Sequence, residues 1–308
     1  MSLVINHNMM AMNASRNLTQ SYGALSTSTR KLSSGLRVGT AADDAAGLAI
    51  RELMRSDISA MNQGIRNAND AISLIQTADG ALQVIDEKLI RMKELAEQAA
   101  TGTYNSDQRL IIDSEYQAMA SEITRIANAT DFNGIHLLNG NLSANIAAGN
   151  GDMAQWHKDH DGSGLKPKGP LKVHFGVSND SAEDYYYIAI GNSTASALGI
   201  GNNSAVGAGH DISTQQNAQQ ALDAINEAII SKDKIRANLG ALQNRLQNTV
   251  TNLQIQAENL QASESRISDV DVATDMTEFV RNLIKSQAAV AMLSQSNSLP
   301  QMAMQLIG

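Results

Sequence analysis

The side chains best suited to chemistry are His157, His160 and Asp161 in the segment WHKDHDG, with His174 further along the chain. Imidazoles and carboxylates bind metal ions, and two histidines three residues apart can share one ion when they lie on a helix. This segment is rich in glycine, and it lacks the HExxH string whose glutamate acts as a base. We therefore interpret the cluster as a polar surface loop and expect no functional metal site.

Other chemical sites are poorly represented. The chain has no cysteine, which removes disulfides, thiolate catalysis and cysteine-based zinc sites. It contains neither a glycine-rich phosphate loop nor an arrangement typical of a Ser-His-Asp triad. Asp43 and Asp44 are best explained as helix-capping residues that complement a helix dipole. We predict that the protein is not an enzyme and binds no cofactor.

Charge and hydropathy weigh against two classes of partner. The net charge is -8 and no run of Lys and Arg occurs, whereas a nucleic-acid partner requires a basic face. No segment reaches the roughly 20 apolar residues that cross a bilayer, so we expect no membrane partner. The start, MSLVINHNMMAMNASRNL, lacks the regions of a Sec signal, so export would use another route.

The elements that carry these residues are mostly long helices. Between Asp57 and Ala100, apolar side chains recur at steps of three and four residues, which predicts one α-helix about 65 Å long. A stripe of this length requires partner helices of similar length. The stripe consists of Ile58, Met61, Ile65, Ala68, Ile72, Ile75, Ala78, Leu82, Ile85, Leu89, Met92, Ala96 and Ala99.

Further segments supply those partners. Gly35 and Gly39 interrupt the pattern after the N-terminal segment. A shorter helical piece through AADDAAGLAIRELM then follows, capped by Thr40 or Asp43. The same spacing predicts four longer helices: Leu3 to Leu36, Ser106 or Asp107 to about Ala127, a third long helix from Ser213, and Ile267 to Gly308.

The chain between about Phe132 and Gly209 differs in character. Glycine and asparagine become more frequent and helical periodicity stops. LKVHFGV and YYYIAIG predict the two strands of a β-hairpin, and NGIHLLNGN predicts a turn or a second hairpin. The predicted fold is therefore mainly α: a long-helix rod or coiled-coil bundle formed by the N- and C-terminal segments, with a small β-containing middle insertion.

The first and last helices have thin apolar stripes among Asn, Ser, Thr, Ala and Gln residues. Ordering a residue costs about 1 to 2 kcal/mol, while burying one Leu, Ile or Met returns roughly 1.5 to 3 kcal/mol. With an apolar residue only at every third or fourth position, each helix alone is near or below break-even. We predict that both segments are disordered until a partner covers them.

Specific strings then indicate a family. They include INHNMMAMNASRNL, KLSSGLRVGTAADDAAGLAI, IRNANDAISLIQTADGAL, RMKELAEQAATGTY, EITRIANATDFNG, RANLGALQNRLQNTVTNL, ENLQASESRISDVDVATDM and AMLSQSNSLPQ. In this order they closely resemble the terminal segments of bacterial flagellins, over residues 1–140 and 213–308. VGTAADD departs from the family's commoner connector, and the middle is short.

The resemblance implies a structural subunit that assembles with itself into the flagellar filament. It implies export through the flagellar type III apparatus, a dedicated export chaperone at the C-terminal segment, filament cap and hook-filament junction proteins as partners, and an extracellular location. It further implies an inner-tube domain (1–40 with 265–308), a rod domain (41–140 with 208–264) and a small outer domain (141–207). A hook-filament junction protein is the alternative.

The resemblance also points to two sets of residues. The expected polymer interface comprises Leu18, Leu25, Leu32 and Leu36 with Met276, Leu283, Val290 and Leu293, which could also form an ordinary intramolecular core. Arg91, Leu95 and Glu115 match positions through which many flagellins are detected by Toll-like receptor 5. A solvated ionic face is the alternative explanation of Arg91 and Glu115.

Overall fold

The computed structural model describes residues 8–143, 169–180, 183–201 and 211–307. It divides into two compact units, which we call the terminal unit (Met1–Ser59 with Ala257–Gly308) and the central unit (Ala60–Gln256). The described residues form five helices: α1 Met9–Ser34, α2 Ala45–Ala100, α3 Ser106–Ala129, α4 Gln215–Ser268 and α5 Val272–Ile307. They also form four strands: β1 Asp131–Phe132, β2 Ile135–His136, β3 Leu171–His174 and β4 Tyr185–Ile188. The predicted mainly α fold with a small β-containing insertion is confirmed.

The long helix α2 begins earlier than its sequence pattern predicts. The expected short helical piece and the expected long helix form one helix of 56 residues. Between Leu48 and Asp57 the chain has neither proline nor glycine, so nothing stops the helix there. Its cap is Asp44, whose Oδ1 accepts a hydrogen bond from the Gly47 amide at 2.9 Å. The prediction that Thr40 or Asp43 caps this helix was therefore wrong.

The start of α3 also differs by one residue from the prediction. Asn105, rather than Ser106 or Asp107, is the cap, and it forms a capping box with Gln108. The Asn105 side chain accepts from the Gln108 amide at 2.9 Å, and the Gln108 side chain accepts from the Asn105 amide at 3.1 Å. This reciprocal arrangement satisfies two amides at the start of the helix.

The central unit has a core built from the predicted stripes. Ten of the thirteen stripe residues of the long helix are buried, while Ile58, Ile65 and Ile72 are half-buried. Buried residues of α3 and α4, among them Tyr116 and Leu239, belong to the same apolar cluster as the middle of α2. The long stripe is thus covered by partner helices, as its length requires.

Ion pairs fix the register of α2 against α4 within the central unit. Arg236 of α4 donates from Nε to Asp79 Oδ1 of α2 at 2.7 Å. Lys232, whose side chain is 2% exposed, pairs with Asp86 of α2 and, at 2.8 Å, with its neighbour Asp233. From Lys232 to Arg236 the residue numbers rise along α4, whereas those of their partners on α2 fall. The two helices are therefore antiparallel.

Two short hairpins complete the central unit. β1 and β2 are joined by Asn133 and Gly134, which have φ values of 52° and 79°. An Asn-Gly pair with positive φ at both positions is typical of the tightest hairpin turns. β3 pairs with β4 in an antiparallel register that sets Val173 opposite Tyr186, which confirms the predicted hairpin.

Among the helices that the structure describes, none is both long and apolar enough to cross a membrane.

Candidate functional site

The terminal unit is organised around the antiparallel pair of α1 and α5. At one end, Asn8 caps α1 through its Oδ1 and donates from Nδ2 to the carbonyl oxygen of Ser296 at 2.8 Å. Between the ends, Ser28 and Ser286 are buried. The predicted pairing of the first and last segments is therefore present, and part of its seam consists of small polar residues rather than of leucine alone.

At the other end of the pair, the segment that follows α1 and the segment that leads into α5 form an antiparallel bridge. Gly35 ends α1 with a φ of 71°, a left-handed conformation that glycine adopts at no steric cost. The amide of Arg37 donates to the Ser268 carbonyl at 2.7 Å, and the Val270 amide donates to the Gly35 carbonyl at 3.0 Å. The Arg37 guanidinium also donates to the carbonyl oxygens of Arg266 and Ile267, so it caps the C-terminal end of α4.

A second set of contacts holds the connector between α1 and α2. Arg30 donates to Asp43 at 2.8 Å, and Thr40 donates to the same carboxylate. The hydrogen bond from Arg30, followed by that from Thr40, holds the pKa of Asp43 well below its usual range. Arg51, which is 7% exposed, donates to the Val38 carbonyl at 2.7 Å. Asp43 therefore holds the connector to α1 through Arg30, whereas Asp44 has the capping role that was predicted for both aspartates.

The leucines of the expected polymer interface are only half-buried in this unit. Met276 and Val290 are more exposed, at 44% and 47%. The other six residues of that set retain part of their surface in solvent: Leu18, Leu25, Leu32, Leu36, Leu283 and Leu293. The α1–α5 contact thus uses these side chains without covering them fully.

Besides Met276 and Val290, the terminal unit exposes apolar side chains that the sequence analysis did not place in the polymer interface. On α5, Phe279 and Leu283 are half-buried, whereas Val280 and Ile284 are 44% and 59% exposed. The helix is therefore apolar on two faces, a signal present in the sequence as adjacent apolar pairs. The large apolar side chains that are exposed among the described residues of this unit are Met9, Met10, Met12, Tyr22, Ile50, Leu53, Val272, Met276, Val280, Ile284, Val290, Met292 and Met302.

The residues expected to meet a receptor lie in the central unit. Arg91 of α2 donates to Glu115 of α3 at 2.8 and 3.0 Å and to Glu94 at 2.9 Å, and the three side chains are 44% to 61% exposed. These hydrogen bonds, Glu115 first, raise the pKa of Arg91. Leu95 is 1% exposed and belongs to the core beneath this pair. The structure therefore brings Arg91 and Glu115 together on the surface and places Leu95 out of reach of a partner.

Of the metal-like cluster, the structure describes His174 alone. His157, His160 and Asp161 lie outside the described residues. His174 belongs to β3, where its backbone carbonyl accepts from Asn67 at 2.8 Å and its ring stacks with Tyr185 at 6.0 Å between centroids. Within the residues that the structure describes, no group of three His, Cys, Asp or Glu side chains could hold a metal ion.

Comparison with known proteins identifies the family. A family model described as the bacterial flagellin N-terminal helical region matches residues 5–143, and one described as the C-terminal helical region matches residues 222–307. The matched ranges include α1, α2 and α3 at one end of the chain and all of α5 at the other.

Relatives that match along almost the whole chain indicate the same family. The flagellin of Halalkalibacterium halodurans is 39% identical, with 99% of this chain and 100% of that protein covered. The flagellar filament 33 kDa core protein of Treponema phagedenis is 38% identical with the same coverage. A solved structure described as a flagellar hook-associated protein from Vibrio parahaemolyticus shares the fold alone, with a TM-score of 0.53 and 15% identity over 74% of this chain and all of that one. The chain therefore belongs to the bacterial flagellin family, a family of structural proteins of the flagellar filament.

Proposed function

We propose that this chain is the subunit of a bacterial flagellar filament and that neighbouring copies complete its terminal unit. The observation that carries the proposal is the second apolar face of α5. Val272, Met276, Val280 and Ile284 follow one another at four-residue steps and are 44% to 59% exposed. A helix that is apolar on more than one face is normally buried on all of them.

Assembly supplies the stability that the isolated terminal helices lack. Full burial of each Val, Ile or Met returns about 1.5 to 3 kcal/mol, and a filament would bury several such side chains of every subunit at once. Head-to-tail contacts that do not close generate open helical filaments. In this proposal residues 1–40 and 265–308 are disordered in the free subunit and become ordered on assembly. The eight residues of the expected polymer interface, which are six leucines with Met276 and Val290, then pack against neighbouring copies.

The remaining parts of the chain take the places that the family implies. We assign residues 41–140 with 208–264 to a rod around the inner tube and residues 141–207 to the outside of the filament. The subunit leaves the cell unfolded through the flagellar type III apparatus, with an export chaperone on its C-terminal segment. It is then added beneath the filament cap, so its final location is extracellular.

A second proposed interaction concerns Toll-like receptor 5. Arg91 and Glu115 form an exposed charged pair across α2 and α3, and such a pair can be recognised by complementary charges on a partner. Because Leu95 lies beneath the surface, we assign it to supporting the geometry of this pair rather than to contact with the receptor.

Seeded assembly tests the main proposal. Purified chain added to short filament seeds should lengthen them in electron micrographs, and the double variant Val280→Ser with Ile284→Ser should not. Val84→Ser, which removes an apolar side chain that is 42% exposed in the central unit, is the matched control and should elongate seeds. Equal elongation by wild type and the α5 double variant would refute the role of this face. Abundance along sheared filaments separates a filament subunit from a junction protein, which would be confined to one end.

A further inference from the structure

Exposed methionines are concentrated in one unit of the molecule. Among the described residues, six methionines are 44% to 63% exposed, and all of them lie in the terminal unit: Met9, Met10, Met12, Met276, Met292 and Met302. In the central unit Met61 and Met92 are 9% and 0% exposed, and Met119 is half-buried. Methionine is thus distributed unevenly between a protected and an accessible environment.

Five of the six lie within two helical turns of one contact between α1 and α5. Asn8 donates to the Ser296 carbonyl at 2.8 Å, which brings the first turn of α1 beside the later part of α5. Met292 and Met302 lie within two helical turns of Ser296, and three methionines occupy the first turn of α1. We call Met9, Met10, Met12, Met292 and Met302 the methionine patch. Met12 also lines, with Arg16 and Leu293, a groove of about 610 Å³ between the two helices.

We propose that the methionine patch is a site of reversible oxidation that switches off assembly, an inference that rests on the proposed filament function. The oxidant is a hydroperoxide such as hydrogen peroxide. With hydrogen peroxide, a lone pair of the thioether sulfur attacks one peroxide oxygen, and the S–O bond forms as the O–O bond breaks and hydroxide departs. The hydroxide then takes the proton of the hydroxyl group now on sulfur, which leaves the sulfoxide and one water molecule. Sulfur loses two electrons and the peroxide gains two.

The consequence follows from the polarity of the product. Methionine sulfoxide is polar where methionine is apolar, and its formation disrupts methionine-rich interfaces. A patch that must be covered by a neighbouring copy would then keep its hydration, and the oxidised subunit would not add to a filament. Methionine sulfoxide reductases restore the thioether, so the change is reversible. Subunits already in a filament are protected because their patch is covered.

Site-resolved oxidation of the full chain tests the first half of the proposal. Free subunit and assembled filament are treated with hydrogen peroxide, and the sulfoxide at each methionine is followed by peptide mass spectrometry. In the free subunit, we expect the patch to oxidise at least about tenfold faster than Met92. In filaments, we expect the oxidation rate of the patch to fall to about that of Met92. Patch rates equal to that of Met92 in the free subunit, or unchanged by assembly, would overturn it.

Seed elongation tests the second half. Peroxide-treated wild type should fail to elongate seeds, and a methionine sulfoxide reductase should restore elongation. A variant with all five patch residues and the exposed Met276 changed to Leu should elongate after peroxide, whereas Met61→Leu with Met92→Leu, which retains the patch, should not. Undiminished elongation by oxidised wild type, or no recovery after the reductase, contradicts the proposal. Untreated wild type distinguishes the two proposals. If it fails to elongate seeds, the proposed filament function is wrong, whatever the effect of peroxide.

Discussion

The backbone of Gly64 in α2 lies directly against the carbonyl group of Phe175, which follows β3. A Cβ atom on residue 64 would lie 2.7 Å from that carbonyl carbon and would overlap the carbonyl oxygen. The end of the hairpin therefore occupies the space that a side chain at residue 64 would fill. This contact explains a glycine in the interior of a helix, where glycine is otherwise unfavourable.

Gly64→Ala should consequently weaken docking of the hairpin. We expect a loss of about 1 to 3 kcal/mol in the free energy of unfolding, the usual cost of overpacking. Gly80→Ala is the matched control, because a Cβ at residue 80 of the same helix meets nothing within 4 Å. That change should stabilise the protein by about 0.5 to 1 kcal/mol through helix propensity. Urea unfolding measures both, and equal effects of the two substitutions would show that the Phe175 contact is unimportant.

The buried ammonium of Lys232 gives an asymmetric prediction. Its side chain is 2% exposed, while its partners Asp86 and Asp233 are 28% and 60% exposed. Lys232→Met removes the buried charge and should change the free energy of unfolding by no more than about 1 kcal/mol. Asp86→Ala leaves the charge buried with one partner and should cost about 1 to 3 kcal/mol. Asp233→Ala serves as the control with a smaller effect. A larger loss for Lys232→Met than for Asp86→Ala in denaturant unfolding would contradict this account.

Acidification should reveal the contact between Arg30 and Asp43. Because the pKa of Asp43 is lowered in the folded terminal unit, the contact stabilises that unit above the ordinary Asp pKa of about 3.9 and is lost as the pH falls through the lowered value. Filaments of Asp43→Asn should dissociate at a lower temperature than wild type at pH 7, and this small difference should shrink in strong acid. Asp44→Asn is the control, since an asparagine caps a helix as well as an aspartate. A difference that does not change with pH would exclude this role for Asp43.

Receptor recognition can be tested on the Arg91 pair. Arg91→Ala and Glu115→Ala should each lower activation of Toll-like receptor 5 by about tenfold, which corresponds to about 1.4 kcal/mol. Arg125→Ala removes another exposed ion pair of α3, with Glu122, and should leave activation unchanged. The readout is a reporter-cell titration with the free subunit. Equal activation by Arg91→Ala and Arg125→Ala would assign the Arg91 pair to an ordinary solvated face.

Much of the fold could be predicted from the sequence because helical stripes are long and regular. The α2 stripe and the β3–β4 hairpin were identified from spacing alone, since both periods persist over several residues. Helix starts were less predictable. Asp44 was one of three capping candidates for α2, and Asn105 was not among the candidates for α3; only the amide that each side chain meets identifies the cap. Local composition does not contain that information.

The candidate site was harder to predict. Spacing identified Leu18 and Leu283 as members of a seam, but it did not reveal that Val280 and Ile284 remain exposed once α1 and α5 have paired. A one-dimensional pattern shows which residues share a face of a helix, whereas exposure depends on how much of the partner covers that face. Leu95 illustrates the converse, because it lies one helical turn after the exposed Arg91 and is nevertheless buried.

Amide hydrogen exchange of the free subunit and of the filament tests the central claim most directly. If neighbouring copies complete the terminal unit, residues 9–34 and 272–307 should exchange at nearly unprotected rates in the free subunit and become strongly protected in the filament, while the central parts of α2 and α4 are protected in both. Full protection of the two terminal helices in the free subunit would contradict the claim, because it would mean that α1 and α5 are stable without any other copy.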